Sequence, residues 1–147
     1  MNIRKAIASD IDNIYTLGST VDKFSVSDEV VTFWPKHILH NIINSRTDLL
    51  LIAEEKDEVI GLIIVNNSFV FKKAIVENIY VSSLFRGQGV AKKLLDTAMD
   101  IVLGLGCEYV CALMNDEKAI NFYESNGFKK GRSFTWLDKI ISKEFSK

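Results

Sequence analysis

The sequence predicts an α/β protein of the α+β type, in which a mixed, mostly antiparallel sheet is flanked by about four helices. Strand-sized apolar runs rich in β-branched residues alternate with segments whose apolar residues recur every three or four positions. Two apolar runs near the middle are separated by only a few polar residues, which indicates an antiparallel hairpin. The predicted element order is β-α-α-β-β-β-α-β-α-β-β.

Length and composition predict a single domain that spans residues 1–147. The chain is 48% hydrophobic and 25% charged, which is ordinary for a globular protein long enough to bury a substantial core. Proline occurs once, and no repeat, low-complexity tract or linker interrupts the sequence.

The first half of the chain supplies two helices and most of the sheet. A short strand at 3–6 precedes the first helix, and Pro35 fits the first position of the second. The segment 25–34 between these helices is ambiguous. Three strands follow, at 49–54, 59–65 and 69–81.

The second half begins with a central helix at 88–104, which ends at Gly104 or Gly106. A strand of the buried type follows at 109–114. A short helix then opens at Asn115 and stops at the Asn126-Gly127 pair. The last two apolar stretches predict a closing strand pair, at 128–130 and 134–141.

The stretch 75–95 carries the clearest functional pattern. An apolar strand with one acid, Glu77, leads through a turn containing Gly87 and Gly89 into the central helix. The first amides of a helix have no internal partner and carry partial positive charge, and glycines let an anion approach them. Three basic residues border the turn: Arg86, Lys92 and Lys93. The pattern therefore indicates a site for a phosphate or pyrophosphate.

Two other interpretations of this turn are open. A plain strand-turn-helix corner would also use glycines, for steric reasons alone. A Rossmann dinucleotide site fits poorly, because the third glycine of G-x-G-x-x-G would fall at Lys92, and Glu108 is the only later acid near a second strand.

Two motifs resemble those of the GNAT superfamily of N-acetyltransferases. Arg86-x-x-Gly89-x-Ala91 resembles its Arg/Gln-x-x-Gly-x-Gly/Ala signature. The block Asn115-x-x-x-Ala119-x-x-Phe122-Tyr123-Glu124-x-x-Gly127-Phe128 resembles its Asn…Ala…Tyr…Gly-Phe pattern. The order of elements is also typical of the family, so the resemblance covers essentially the whole chain.

The resemblance implies that acetyl-CoA is the acetyl donor and is bound as a co-substrate. The backbone of Ile79 and Val81 would pair with the pantetheine amides. Asn115 would reach the pantetheine arm, cap the next helix, or do both. Arg86 would start the turn, meet a phosphate or remain a solvated cation. The pyrophosphate would lie against the loop residues Gly87, Gln88, Gly89, Val90, Ala91 and Lys92.

The resemblance also implies direct transfer of the acetyl group to an amine. Tyr123 stands where the family places its general acid, and its phenol can donate a proton to a thiolate. The alternative is a tyrosine that only packs beside Phe122. The N–H of Val81 is the family's usual oxyanion contact.

Glu77 is the first candidate for the general base. Strand alternation places it on the same face as Val81, and an acid within an apolar strand is costly unless it is paired or faces a cleft. It is equally well explained as an edge-strand acid paired with Lys72 or Lys73. Glu29 and a water molecule are the other candidates.

Two classes of function remain. The first is an enzyme that acetylates a primary amine of a small molecule or peptide, and the second is a non-catalytic acetyl-CoA sensor or interaction module. A nucleotide-binding domain that uses the same loop for ATP or NAD is a weaker third. Phe33, Trp34 and Trp136 would line an apolar acceptor pocket, or belong to the core or a subunit interface.

Composition argues against several partners. The net charge of −1 gives no basic excess for nucleic acid, and no apolar run is long enough to cross a membrane. Cys107 and Cys111 form no CxxC pair, which suits a reducing cytoplasm, and His37 and His40 have no ligand pattern beside them, so no metal is expected. A homodimer through the C-terminal strands is an expectation drawn from the family.

Overall fold

Five strands form one sheet in the order β1-β2-β3-β4-β5 in the computed structural model, which describes all 147 residues. The strands are β1 (Asn2–Lys5), β2 (Leu49–Glu55), β3 (Glu58–Ser68), β4 (Lys73–Val81) and β5 (Tyr109–Ala112). The helices are α1 (Ile11–Ser19), α2 (Lys36–Asn44), α3 (Val90–Gly104) and α4 (Glu117–Ser125). The predicted class, a mostly antiparallel sheet with four helices, is confirmed.

The sheet is antiparallel from β1 to β4, and β5 then pairs with β4 in parallel. A parallel pair needs a crossover, and α3 supplies it. The helices cover both faces of the sheet. Helices α1 and α2 pack on one face, around Ile14 and Leu39, while α3 packs on the other through Leu94, Ala98 and Val102. Burial on both faces explains why β2 and β3 are apolar without alternation.

The predicted closing strand pair does not form. Residues 128–141 contain neither helix nor strand, and Phe134, Leu137 and Ile141 are 80%, 89% and 91% exposed. An apolar pattern becomes a strand only where an edge supplies hydrogen bonds and a face buries side chains, and this segment finds neither. The prediction was wrong because both requirements are tertiary.

Strand β4 is also shorter than the predicted run at 69–81. Residues Phe69–Phe71 form a 3-10 turn, and Lys72 adopts a left-handed conformation with φ 49° before the strand begins at Lys73. The turn leaves the side chains of Phe69, Val70 and Phe71 exposed.

A β-bulge lies in β4 at Glu77. Ile64 pairs with Asn78 and Val65 pairs with Val76, so Glu77 has no partner on β3. The extra residue reverses the side-chain alternation, and both Val76 and Val81 therefore point to the α3 face. The expectation that Glu77 and Val81 share a face was wrong, because simple alternation cannot anticipate a bulge.

Candidate active site

The sheet opens into a cleft where β5 parts from β4. Their pairing ends at Val76 and Ala112, whereas β4 continues to Val81. The amide of Ser82 donates to the carbonyl of Ile60 on β3, so alternation of the ladder directs the backbone of Tyr80 to β3 as well. The N–H and C=O groups of Ile79 and Val81 consequently point to the free side. The cleft therefore has an unpaired strand edge, along which only the carbonyl of Val81 already accepts a hydrogen bond, from Arg86 Nε.

The turn between β4 and α3 requires glycine at two positions. Gly87 and Gly89 both have φ +76°, in the left-handed region, and an added Cβ at either would meet no atom within 4 Å. Gly89 is the residue before α3, and its carbonyl accepts the bond from the amide of Lys93. The amides of Val90, Ala91 and Lys92 therefore lack an acceptor within the helix, at the positive end of a 15-residue helix.

The end of the β4 edge and the turn between β4 and α3 line one cleft of about 380 Å³. Seven residues predicted to bind the cofactor line it: Val81, Arg86, Gly87, Gly89, Val90, Ala91 and Lys92. Ile79, Gln88 and Asn115 do not line it. Four further lining residues were missed by the sequence: Phe85, Phe122, Ser125 and Asn126. Phe122, Ser125 and Asn126 lie on or just after α4, and only the packing of that helix beside the turn brings them to the cleft.

Two of the three predicted cations have partners within the protein. Arg86 Nε donates to the carbonyl of Val81 at 3.0 Å, and its guanidinium lies 5.2 Å from the centroid of the Tyr80 ring. Lys92 Nζ pairs with Asp96 at 2.7 Å, one helical turn away. The contacts of Arg86 with Val81 and Tyr80 thus hold the turn against the end of β4.

Tyr123 on α4 is 6% exposed and belongs to the same buried cluster as Val81. Its ring meets Phe122 and Phe128 edge-on, with centroid distances of 5.3 and 5.0 Å. Burial raises the pKa of its phenol, which keeps the proton on the oxygen. Phe122 and not Tyr123 lines the cleft.

Asp116, not Asn115, caps α4. Its Oδ2 accepts from the amide of Ala119 at 3.1 Å, and its carboxylate also pairs with Lys23 from the segment after α1. Asn115 is exposed. The suggestion that Asn115 caps the helix was wrong, because the helix begins one residue later than the asparagine would require.

The bulge places Glu77 in a second, smaller pocket of about 110 Å³ beside α2. The pocket residues are Trp34, Ile38, Ile42, Asp48, Ile64, Val65, Asn66 and Glu77. Partial withdrawal from water raises the pKa of Glu77, and the negative charge of Asp48 raises it further, although the residue as a whole is exposed. Lys72 pairs with Glu108 at 2.6 Å, and Glu77 forms no ion pair with Lys72 or Lys73.

The three aromatic residues predicted to line an acceptor pocket, and the alternative base Glu29, lie in different environments. Phe33 is buried and stacks on Phe24 with a centroid distance of 5.7 Å, so it belongs to the core. Trp136 is 55% exposed and bonds Asp138, outside both pockets. Glu29 is exposed and lines neither pocket. Of these candidates, Trp34 alone lines one of the two pockets described above.

No group of three or more His, Cys, Asp or Glu side chains is arranged to hold a metal ion. None of the helices is long and apolar enough to span a bilayer.

Comparison with known proteins agrees with this geometry. Residues 14–128 match the sequence profile of the acetyltransferase (GNAT) family. A ribosomal-protein-alanine N-acetyltransferase from Brucella melitensis superposes with a TM-score of 0.78 at 16% identity, covering 99% of this chain and 95% of that one. An aminoglycoside acetyltransferase from an uncultured soil metagenomic sample, in complex with sisomicin, gives 0.75 at 15% identity, covering 96% of each chain. An aminoglycoside N-acetyltransferase in complex with CoA gives 0.72 at 17% identity, covering 95% of this chain and 100% of that one.

Proposed function

The chain belongs to the acetyltransferase (GNAT) family, and we propose that residues 1–147 form one domain that moves an acetyl group directly from acetyl-CoA to a primary amine of a small molecule or peptide. One observation carries the proposal. A free strand edge at Ile79 and Val81 runs directly into a glycine turn whose helical amides have no acceptor, and the turn and the end of the strand line the same cleft.

The residues present fit acetyl-CoA along this cleft. The amides of 88–92 would hold the pyrophosphate, because this stretch leads into the positive end of α3 and the amides of 90–92 have no acceptor within the helix. The backbone of Ile79 and Val81 would pair with the amides of the pantetheine arm, as a further strand pairs with an edge. Asn115 would contact that arm from the end of β5. The aromatic ring of Phe122 supplies an apolar wall.

Acetyl-CoA supplies the acetyl thioester, and the chain supplies three functions. Val81 N–H donates to the carbonyl oxygen as negative charge develops on it. Tyr123, held protonated by burial, would donate its proton to the departing sulfur and recover one from the nitrogen as the amide forms. Glu77 accepts the proton that the ammonium of the acceptor must lose before its nitrogen can attack, directly or through a water molecule. The bulge directs the Glu77 side chain to the face opposite α3.

One observation favours the alternative, a non-catalytic acetyl-CoA sensor or interaction module. Tyr123 does not line the cleft, so a protein that only binds the coenzyme would have the same lining.

The two free cysteines, Cys107 and Cys111, are compatible with a reducing cytoplasm. The unpaired outer edge of β5 leaves room for a homodimer.

Calorimetric titration with acetyl-CoA, alongside NAD and ATP, tests the proposal. We expect saturable one-to-one binding of acetyl-CoA alone, followed by release of free thiol when a suitable primary amine is added. Binding without thiol release across a broad panel of amines would favour the sensor. If none of the three ligands binds, the turn is a structural corner and the proposal fails.

A further inference from the structure

The second pocket lies on the opposite face of β4 from the coenzyme cleft. Trp34 Nε1 donates to Asn78 Oδ1 at 2.7 Å, which fixes the indole against β4 just after the bulge. Asn78 directly precedes Ile79, whose backbone faces the free edge. The pocket and the cleft therefore lie on opposite faces of the same strand, the pocket at Glu77 and the cleft at Val81.

The pocket holds negative charge without a protein cation. Its eight lining residues include Asp48 and Glu77 and no Lys, Arg or His. Asp48 is held in place, because its Oδ2 accepts from Ser45 Oγ and its Oδ1 accepts from the amide of Asn67, both at 3.0 Å. Neither carboxylate forms a salt bridge with the chain. Carboxylates drawn together beside apolar walls are costly unless a positive charge joins them.

The apolar wall of the pocket is formed in advance. The C-terminal segment 143–147 is fastened across the loop before α2, where Val31 N donates to Phe145 O and Lys147 N donates to Glu29 O, both at 2.9 Å. The ring of Phe145 meets Trp34 edge-on with a centroid distance of 6.4 Å. Trp34 is thus held from two sides, by Asn78 and by Phe145, which lowers the entropy lost on binding.

We propose that this pocket binds the amine acceptor as a cation, and that the acceptor is an alkylammonium compound with no carboxylate next to the amine. The inference rests on the proposed function. Glu77 and Asp48 attract the ammonium group, and Trp34, Ile38 and Ile42 contact the alkyl chain. A carboxylate beside the amine would lie against two like charges and would be rejected. The pocket of about 110 Å³ is small and partly open, so a short end of the acceptor enters.

Three small probes separate charge from shape. Butylamine is the simplest alkylammonium, 1-butanol is its neutral isostere, and norvaline adds a carboxylate beside the amine. The chain has two tryptophans, so Trp136→Phe leaves Trp34, on the pocket wall, as the sole indole. Its fluorescence then reports occupancy of this pocket in the intact chain, with no need for catalysis.

We expect butylamine to change the Trp34 emission saturably, with norvaline and 1-butanol at least tenfold weaker. In the same parent, Glu77→Gln should weaken butylamine at least tenfold, and Asp48→Asn should also weaken it while keeping an oxygen for the amide of Asn67. Glu58→Gln removes an exposed glutamate of β3 outside the pocket and should change nothing.

Equal affinity for the three probes, or butylamine binding that neither pocket variant alters, would overturn the inference. The test is independent of the coenzyme. A chain that binds acetyl-CoA but not butylamine loses only this inference, whereas one that binds butylamine at Trp34 but no acetyl-CoA loses the proposed function and, with it, the acceptor role of the pocket.

Discussion

Arg86 Nε donates a hydrogen bond of 3.0 Å to the carbonyl oxygen of Val81, across the turn that joins β4 to α3. The same guanidinium lies over the Tyr80 ring. The bond fixes the last residue of the free strand edge relative to the first amides of the helix, so that one ligand can use both. A cation at this position therefore shapes the turn before any phosphate is present.

Arg86→Lys tests this positioning role. The substitution keeps the charge but loses the Nε donor, and a hydrogen bond from a charged group is worth about 1.5–3 kcal/mol. We expect acetyl-CoA affinity to fall at least tenfold by calorimetry. Arg132→Lys, in the exposed C-terminal segment, is the matched control. Wild-type affinity in Arg86→Lys would mean that only the charge of Arg86 matters.

Gly89→Glu should abolish acetyl-CoA binding, because it places a carboxylate beside the amides proposed to hold the pyrophosphate. The positive φ of Gly89 adds strain of its own. Gly89→Asn supplies that strain without the charge, and should bind more tightly than Gly89→Glu. Circular dichroism checks that both fold. Undiminished affinity in Gly89→Glu would move the coenzyme elsewhere.

Tyr123→Phe should lower the turnover of acetyl transfer by about 10²-fold or more and leave acetyl-CoA affinity unchanged. The phenyl ring keeps its edge contacts with Phe122 and Phe128, so the fold is retained. Steady-state release of thiol measures the effect. Tyr109→Phe, on exposed β5, is the control. Unchanged turnover in Tyr123→Phe would remove this residue as the acid.

The pH dependence of kcat/KM should report Glu77. Partial burial and the charge of Asp48 raise the pKa of Glu77, and a base acts only when deprotonated. Activity should therefore fall, as pH decreases, at a higher pH than for an ordinary glutamate. Asp48→Asn removes one of the two causes and should move this acid limb to lower pH. An acid limb that persists unchanged in Glu77→Gln would assign the base elsewhere.

Gly18→Ala should destabilise the fold by about 1–3 kcal/mol through overpacking. A Cβ at Gly18 in α1 would lie 2.3 Å from the Phe33 ring, which is buried and stacks on Phe24. Gly104→Ala, where an added Cβ meets nothing within 4 Å, is the control and should cost no stability. Urea denaturation measures both. Equal midpoints would show that the Phe33 ring repacks freely.

Several features of the site could be predicted from short sequence motifs. Arg86-x-x-Gly89-x-Ala91 lies within one turn, and the conformation it specifies depends on neighbouring residues alone. The left-handed glycines and the unbonded helical amides could therefore be predicted from the sequence. The family and the class of the fold could be predicted for the same reason, since apolar periodicity and short motifs can be recognised without knowing the long-range contacts. Both predictions were confirmed.

The bulge at Glu77 could not be predicted in this way. Counting residues along β4 assumes strict alternation, but Ile64 and Val65 on β3 skip Glu77 when they pair. The register depends on how the residues of both strands pair, so the sequence of one strand alone does not determine it. The position of Glu77 in the second pocket follows from that single unpaired residue.

The sequence by itself determined the glycine turn before α3, the class of fold and the family, because each depends on residues close together in the chain. Tertiary structure decided which face Glu77 occupies, that Asp48 and Trp34 share its pocket, and that 128–141 forms no strands. These outcomes depend on the register between strands and on which segments of the chain obtain a free strand edge or a buried face of the sheet. Both are decided only when distant segments pack together.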